Sequence, residues 1–269
     1  MRTTGSPYAV ALIPARRGSK RVPGKNVRLL NGHPTLAYTI RPAIESGVFE
    51  SVIVSTDSEE IADVARHYGA EVPFLRPVEH ASDTSPDIEW LDHTLRTLAA
   101  AGRRWDAFSL LRPTSPFRTV ATIRRAWLMF TSQHGVDSLR AIEKCTQHPG
   151  KMWIVRGHRM FPVLPFSNRV PAAAVAGTGG EMTEVPWHST PYQALPAVYV
   201  QNASLEMAWT RVVLENRSLA GEVLVPFVTE GYEGFDINDP TDWMIAERLI
   251  GDGTATLPPV GQAPYGVSV

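Results

Sequence analysis

Short apolar runs alternate with longer segments that place apolar residues on one side of a helix. Val10–Ile13 is a continuous apolar run, which is typical of a strand buried on both faces of a parallel sheet. The segment after Ser58 has an N-cap residue, two acids in its first turn and Gly69 past its end, as expected for a helix. The alternation predicts an α/β fold with a parallel sheet and right-handed crossovers. Further strands are predicted at Ser51–Asp57, Glu71–Pro77, Asp106–Leu111, Gly135–Ile142, Ser204–Trp209 and Glu222–Val228, and helices at Thr35–Gly47, Glu59–Tyr68, Asp87–Ala101, Thr122–Gln133 and Pro240–Leu249.

The alternation is lost between residues 148 and 200, where prolines and aromatic residues dominate. An irregular segment of this length typically forms part of a substrate site or an oligomer contact, and a small satellite core is the alternative. We therefore predict a single domain over residues 8–250, in which 148–200 is an inserted substrate or dimerisation segment. Residues 251–269 are rich in Gly, Pro and Ala, which predicts a flexible C-terminal tail.

A basic, glycine-containing loop follows the first predicted strand. Gly18 and Gly24 allow the backbone to turn and to bring its N–H groups close to a ligand. Open α/β sheets place their ligand crevice at the carboxyl ends of strands, so we predict that this loop binds phosphate groups. A solvated basic turn or a nuclear-localisation-like cluster is the alternative. The loop carries five cations within ten positions, namely Arg16, Arg17, Lys20, Arg21 and Lys25.

Two common phosphate-binding motifs do not match this loop. Gly18 and Gly24 are one residue too far apart for a Walker loop, and Asn26 stands where that loop has its magnesium-binding hydroxyl. The loop also lacks the G-x-G-x-x-G fingerprint of dinucleotide-binding proteins. The sequence therefore argues against a kinase or ATPase loop.

The overall composition limits the classes of partner. A chain of 269 residues with 43% hydrophobic and 20% charged residues is ordinary for a globular protein. The formal net charge of −1 makes the basic loop a local feature and argues against a nucleic-acid partner. The single cysteine, Cys145, is consistent with a reducing compartment. The apolar runs fall short of the ~20 residues of a membrane span, so we expect a soluble, cytoplasmic protein with no membrane partner.

Polar residues follow other predicted strands as well. Arg76 ends one strand and is equally suited to a nucleotide contact or a surface ion pair. The turn that contains Arg112 and Thr114 lies between prolines, which makes it rigid and able to present polar groups to a base or a sugar. Asp236 with Asn238 or Asp239 could hold a magnesium ion, although capping the following helix is the commoner use of such residues.

Several motifs in order resemble the acylneuraminate cytidylyltransferases, which are CMP-sugar synthetases that activate sialic acid and related nine-carbon acids. The resemblance extends from Ile13 to Trp243 and implies a Rossmann-like, mostly parallel sheet flanked by helices, of the nucleotide-diphospho-sugar transferase type. It also implies a homodimer and a magnesium-dependent reaction of CTP with a 2-keto-3-deoxy sugar acid, which yields a CMP-sugar and pyrophosphate. The motifs are IPARRGSKRVPGKN, VSTD, LRPVEHASDT, LLRPTSPFR, HPGK, LPAVY and DIN.

The resemblance implies roles for individual residues. Arg16, Lys25 and Asp236 are the implied catalytic residues, and Asp236 and Asn238 the implied magnesium ligands. The implied nucleotide-binding residues are Ala15, Arg16, Arg17, Gly18, Ser19, Lys25, Asn26, Arg76, Asp83, Thr84 and Ser85. The implied substrate-binding residues are Arg112, Thr114, Lys151, Tyr192, Gln193 and Asn202.

Three positions depart from the pattern of many sialic-acid-activating members. Arg112 replaces a glutamine, Tyr192 replaces an arginine, and Asn238 replaces an aspartate. Sialic, legionaminic and pseudaminic acid therefore remain open as substrates, as do an eight-carbon 3-deoxy-octulosonic acid and another specialised acid. A nucleotide-sugar-dependent glycosyltransferase is an alternative that would normally show a D-x-D motif after a central strand. A non-catalytic nucleotide- or nucleic-acid-binding module is a third alternative, which the near-zero net charge disfavours.

Overall fold

The computed structural model describes residues 7–18, 21–82, 84–171 and 182–266. It divides the chain into two compact units, one of residues 1–142 with 201–269 and one of residues 143–200. We call them the main unit and the inserted unit and describe each by itself.

The elements alternate through the main unit as the apolar pattern predicts, and the elements of both units are numbered together along the chain. The strands are β1 Ala9–Pro14, β2 Leu29–Leu30, β3 His33–Pro34, β4 Ser51–Ser55, β5 Ala107–Leu110, β6 Ser138–Lys144, β7 Trp153–Arg156, β8 Arg159–Pro162, β9 Ser167–Pro171, β10 Met182–Pro186, β11 Tyr199–Trp209 and β12 Leu224–Val228. The helices are α1 Ala37–Glu45, α2 Glu59–His67, α3 Asp87–Ala100, α4 Val120–Ser132, α5 Thr210–Leu214 and α6 Pro240–Gly251.

Six strands form the central sheet in the order β12-β6-β11-β5-β1-β4. β1 pairs in parallel with β4 and with β5, and β12 pairs in parallel with β6. β11 runs antiparallel to β5. The predicted mostly parallel sheet is thus confirmed, with one reversed strand.

The sheet is buried on both faces around β1, because this strand is apolar throughout. Ala9, Ala11 and Ile13 of β1 pack into a cluster with residues of α1, α2, α4 and α6. Val10 and Leu12 point to the opposite face, where they pack with α3 and α5. This layered packing leaves the carboxyl ends of the central strands as the place for a ligand crevice.

Helix boundaries follow local signals in the sequence. Ser58 caps α2 by accepting a hydrogen bond from the Ile61 N–H. Asp239 caps α6 by accepting from the N–H groups of Thr241 and Asp242, with Pro240 at the first helical position. These caps place the start of each helix at the residue that the sequence predicts.

The predicted strand at Glu71–Pro77 is wrong. Only Glu71 pairs with β4: its N–H donates to Val52 O at 2.8 Å and its carbonyl accepts from Val54 N at 2.9 Å. Pro73 follows two residues later and has no N–H, so the ladder does not continue.

The segment from residue 251, for which the sequence predicts a flexible tail, makes contacts with the rest of the main unit. Val260 is 5% exposed and belongs to the main core. The His67 imidazole bonds the Ala263 carbonyl at 2.9 Å, and the Tyr265 N–H donates to the Tyr68 hydroxyl at 3.1 Å. Spaced apolar residues therefore anchor this segment despite its Gly and Pro content, while residues 267–269 lie outside the described part.

The inserted unit contains two antiparallel hairpins where the sequence shows no regular alternation. β7 pairs with β8, and β9 pairs with β10. Pro162, Pro171 and Pro186 each stand at the end of a strand, which suits a residue that cannot continue the ladder. Among the described helices of the chain, none has the length and apolar character that a membrane crossing needs.

Candidate active site

A cleft of about 500 Å³ opens at the carboxyl ends of β1 and β5 in the main unit. This is the edge where parallel sheets bind their ligands. Five of its side chains are cationic and one is a carboxylate. The lining residues are Pro14, Arg16, Arg21, Val22, Lys25, Asn26, Arg76, His80, Ser82, Ser85, Asp87, Trp90, Arg112, Pro113 and Thr114.

The basic loop after β1 is fixed by hydrogen bonds to its own backbone. Buried Asn26 donates from its side-chain Nδ2 to Arg16 O at 3.0 Å, and its backbone carbonyl oxygen accepts from Leu36 N at 3.1 Å. The Thr35 hydroxyl donates to Lys25 O at 2.5 Å. Asn26 therefore shapes the loop, which explains why an amide suits this position.

Positive charge is concentrated around Lys25. Burial lowers the pKa of Lys25 from its ordinary value of 10.5, Asp236 acts in the opposite direction, and the charges of Arg21, Arg16 and Arg112 lower it further. Like charges at short range repel, so an anion that enters the cleft relieves this repulsion. The loop is thus organised to receive a polyanion, as the sequence predicts.

Arg76 is buried beside the same cleft. Its Nε donates to the Ser55 hydroxyl at 2.9 Å and its Nη2 to the Ser55 carbonyl at 2.8 Å. The guanidinium lies 4.6 Å from the centre of the Trp90 ring, and burial lowers its pKa to about 10. The alternative of a surface arginine is therefore wrong, because Arg76 is only 6% exposed.

The polar loop before α3 forms one rim of the cleft. The Ser85 hydroxyl donates to Glu79 O at 3.0 Å and lies 2.7 Å from the Ser82 hydroxyl. The Ser82 hydroxyl also lies 3.3 Å from that of Thr84. Asp83, a predicted nucleotide contact, lies outside the described residues.

Arg118 supports the turn after β5 from the protein interior. This fully buried guanidinium donates to Arg112 O at 3.2 Å and to the Thr39 hydroxyl at 2.9 Å, and it also contacts the Ser204 carbonyl. Burial lowers the pKa of Arg118 to about 9. Thr114 of the turn accepts from Ile237 N at 2.9 Å, which joins the cleft to the segment that carries Asp236.

The two carboxylate oxygens of Asp236 differ in their hydrogen bonding. Oδ2 accepts from Asn238 Nδ2 at 2.7 Å. Oδ1 is buried and has no hydrogen-bond partner among the described residues. Asp239, and not Asp236, caps α6, so capping does not account for Asp236.

Four predicted substrate contacts are not among the residues that line the cleft. In the inserted unit, Lys151 Nζ donates to the carbonyls of His188 and Thr190 at 2.9 and 2.6 Å. The Tyr192 hydroxyl donates to Cys145 O at 3.1 Å and to Thr146 O at 3.0 Å, and Gln193 is exposed. Asn202 donates to the Thr229 hydroxyl at 2.9 Å within the main unit. Their roles as substrate contacts stay predictions.

The structure brings part of the predicted set together and adds residues to it. Ala15 is buried beside β4, and Arg17 donates its N–H to Asp57 at 2.8 Å. The predicted residues that line the cleft are Arg16, Lys25, Asn26, Arg76, Ser85, Arg112 and Thr114. Those outside its lining are Ala15, Arg17, Gly18, Thr84, Lys151, Tyr192, Gln193, Asn202, Asp236 and Asn238, while Ser19 and Asp83 lie outside the described residues.

Sequence reasoning missed Asp87 and Trp90. Asp87 is the carboxylate of the cleft, and it accepts from Trp90 Nε1 at 2.8 Å. Their spacing of three residues at the start of a helix, directly after a polar loop, is the signal that could have identified them.

Comparison with known proteins agrees with the class that the fold and cleft define. A family model described as cytidylyltransferase matches residues 10–125. A solved structure of CMP:2-keto-3-deoxy-manno-octonic acid synthetase complexed with CTP has a TM-score of 0.61 at 14% identity, covering 91% of this chain and 99% of that one, which shows the same fold. The fold and cleft are thus those of a nucleotidyltransferase of the cytidylyltransferase class.

Two relatives narrow the class. CMP-N,N'-diacetyllegionaminic acid synthase of Legionella pneumophila is 36% identical over 244 residues, which is 90% of this chain and 95% of that protein. N-acylneuraminate cytidylyltransferase of Escherichia coli is 46% identical over 157 residues, which is 58% of this chain and 36% of that longer protein. The chain belongs to the acylneuraminate cytidylyltransferase family.

The lowered pKa of Lys25 predicts a pH dependence of anion binding. A polyanion binds the protonated ammonium, so affinity for inorganic triphosphate should fall as pH rises through this lowered pKa, by at most about tenfold per pH unit. Calorimetric titration across alkaline pH measures the fall. Lys25→Arg keeps its charge and reports the titration of the ligand alone, so equal profiles for the two proteins would contradict the prediction.

Proposed function

We propose that this protein transfers the cytidylyl group of CTP to a nine-carbon 2-keto-3-deoxy sugar acid, giving a CMP-sugar and pyrophosphate. The observation that carries the proposal is the cleft with five cations against one carboxylate at the strand ends. The identity over nearly the whole length of the Legionella synthase supports a nine-carbon acid. Legionaminic, sialic and pseudaminic acid are the candidates for the assay.

The chemistry follows from how the cleft distributes charge. A hydroxyl oxygen of the acceptor acid attacks the α-phosphorus and gives up its proton to water. A new P–O bond forms, the bond between the α-phosphorus and the oxygen that bridges to the β-phosphate breaks, and pyrophosphate leaves. Arg16, Arg21 and Lys25 would hold the departing phosphates and stabilise their negative charge. Buried Arg76 and the Trp90 ring would hold the nucleoside, so that the reacting groups meet in a fixed orientation.

Magnesium fits the chemistry of Asp236. The buried, unbonded Oδ1 of Asp236 is an oxygen donor of the type that magnesium prefers, and Asn238 holds the other carboxylate oxygen in place. The described residues contain no group of three acidic, histidine or cysteine side chains that could hold a metal. Magnesium usually retains several waters and binds one or two carboxylates together with substrate phosphates. When bound, magnesium would neutralise phosphate charge.

The proposed function predicts nucleotide selectivity. With magnesium and a nine-carbon acid, CTP should release pyrophosphate much faster than ATP, GTP or UTP. Lys25→Ala should lower kcat/KM by about 10²–10³-fold, because a charge-stabilising contact in the transition state is lost. Pyrophosphate release measures both effects.

The exposed Lys144→Ala serves as the matched control and should behave as the wild type. Equal rates with the four nucleotides, or full activity in Lys25→Ala, would exclude this function for the cleft.

The magnesium proposal predicts a shifted metal dependence. Asp236→Asn should raise the magnesium concentration for half-maximal activity by about tenfold or more, because a neutral amide is a weaker ligand. Asp239→Asn, which alters the cap of α6, is the control and should leave that concentration unchanged. A magnesium titration of the initial rate decides the matter, and unchanged half-saturation in Asp236→Asn would remove this carboxylate from the site.

We propose further that the inserted unit forms a homodimer contact. Its hairpin β7–β8 exposes apolar side chains, with Val155 71% and Met160 53% exposed on opposite strands at paired positions. Exposed apolar clusters of this kind mark interaction surfaces, and a second copy of the chain is the partner we infer. The cytoplasmic location expected from the single cysteine stays a prediction.

The homodimer proposal predicts a change of mass upon mutation. Val155→Asp should convert the dimer to a monomer in sedimentation analysis, because a charge would be buried without a partner. Leu128→Asp, at a 69% exposed site on α4, is the control and should remain dimeric. A monomeric wild type, or a dimeric Val155→Asp variant, would contradict the proposal.

A further inference from the structure

The wall of the cleft that Arg112 forms differs in its electrostatics from the basic loop. Arg112 Nη2 lies 2.7 Å from Asp87 Oδ2 and 3.2 Å from Glu206 Oε1. The second carboxylate oxygen of Glu206 pairs with Arg140. We call these four side chains the compensated wall.

The compensated wall contains two cations and two carboxylates, so its net charge is zero. The side chains of Arg140 and Glu206 are 10% and 9% exposed, and those of Arg112 and Asp87 are 30% and 27% exposed. Buried charges of this kind are stable only when they are paired. Burial would raise the pKa of Asp87, but the Arg112 charge and the hydrogen bonds from Trp90 and Arg112 hold it below its ordinary value. Asp87 is thus a carboxylate that keeps its charge.

The basic loop, in contrast, has a net positive charge. Lys25 feels the repulsion of Arg21, Arg16 and Arg112, with Asp236 as the carboxylate that opposes it. The excess positive charge is therefore at the basic loop, whereas the compensated wall has no excess charge. A ligand with a polyanionic end and an uncharged end can be oriented by this difference alone.

We propose that Asp87 and Glu206 neutralise Arg112 so that it acts as a hydrogen-bond donor to an uncharged oxygen of the acceptor sugar, a hydroxyl or an acyl carbonyl, and not as an anion site. This inference rests on the proposed function and names the group that determines acceptor specificity. Among the described residues, the recorded side-chain hydrogen bonds of Arg112 use Nη2, and the guanidinium has five N–H donors in all. Donors therefore remain for a ligand.

Asp87 is the positioning residue of this arrangement. Its two oxygens accept from Trp90 Nε1 at 2.8 Å and from Arg112 Nη2 at 2.7 Å. The Trp90 ring in turn packs against Arg76. Loss of the Asp87 charge would leave the wall with one excess cation, which would attract phosphate to the side where the acceptor binds.

The test is a double-mutant cycle with Asp87→Asn, Arg112→Gln and the double variant. Each protein is assayed for the KM of the acceptor acid and for the Kd of inorganic pyrophosphate, the latter by calorimetry without turnover. Asp92→Asn is the control, since Asp92 lies on the same helix and pairs with Arg96 outside the cleft.

Charge compensation predicts how the acceptor KM and the pyrophosphate Kd change in the three variants. Asp87→Asn should raise the acceptor KM by about tenfold and tighten pyrophosphate binding by about threefold or more. Arg112→Gln should raise the acceptor KM by no more than about threefold, because the amide remains a hydrogen-bond donor. It should weaken pyrophosphate binding by about threefold, because it leaves the wall with one excess carboxylate. The double variant retains one cation and one carboxylate in the wall, so its pyrophosphate affinity should return toward that of the wild type and its acceptor KM toward that of Arg112→Gln.

Two outcomes would overturn the inference. If Arg112→Gln raises the acceptor KM by about a hundredfold or more, Arg112 binds the carboxylate of the acid as a charge. If Asp87→Asn leaves pyrophosphate binding unchanged, or if the double variant has an acceptor KM at least as high as that of Asp87→Asn, charge balance plays no part. The pyrophosphate measurement needs no catalysis, so it tests the wall even if no acceptor supports turnover and the proposed function fails.

Discussion

The main constraint on this protein is the cost of holding several cations close together at the end of a buried strand. Lys25 is partly desolvated and faces Arg16, Arg21 and Arg112, which together lower its pKa. Such a cluster is stable only when the surrounding structure fixes it, because its charges repel each other in a site of reduced polarity. The hydrogen bonds of Asn26 and Thr35 to the loop backbone supply this fixation. The repulsion that remains is the driving force for binding a polyanion.

The two sides of the cleft differ in net charge. The loop after β1 has an excess of positive charge, whereas the wall at the end of β5 is neutral because Asp87 and Glu206 compensate Arg112 and Arg140. Arg118 supports that wall from the core by bonding the Arg112 carbonyl. A ligand with a charged end and a neutral end therefore has one favoured orientation, and the fold fixes it before the ligand arrives.

Local sequence was sufficient to predict the parts of the site that depend on neighbouring residues. The position of the basic loop is predicted by one apolar run and the basic, glycine-containing segment that comes after it. The strand at residues 71–77 was wrong because two prolines remove the donors that its apolar residues would otherwise use. The compensated wall could not be predicted, because Glu206 is 94 residues from Arg112 and only the antiparallel pairing of β11 with β5 brings them together.

The most direct test of the account is a crystal structure of the protein with CTP. We expect the triphosphate to lie against the loop after β1, with phosphate oxygens within hydrogen-bonding distance of Lys25 Nζ and of the guanidinium groups of Arg16 and Arg21. We expect no phosphate at Arg112. A nucleotide bound elsewhere, with these three cations facing solvent, would contradict the central claim that the crowded cations of this loop bind the triphosphate.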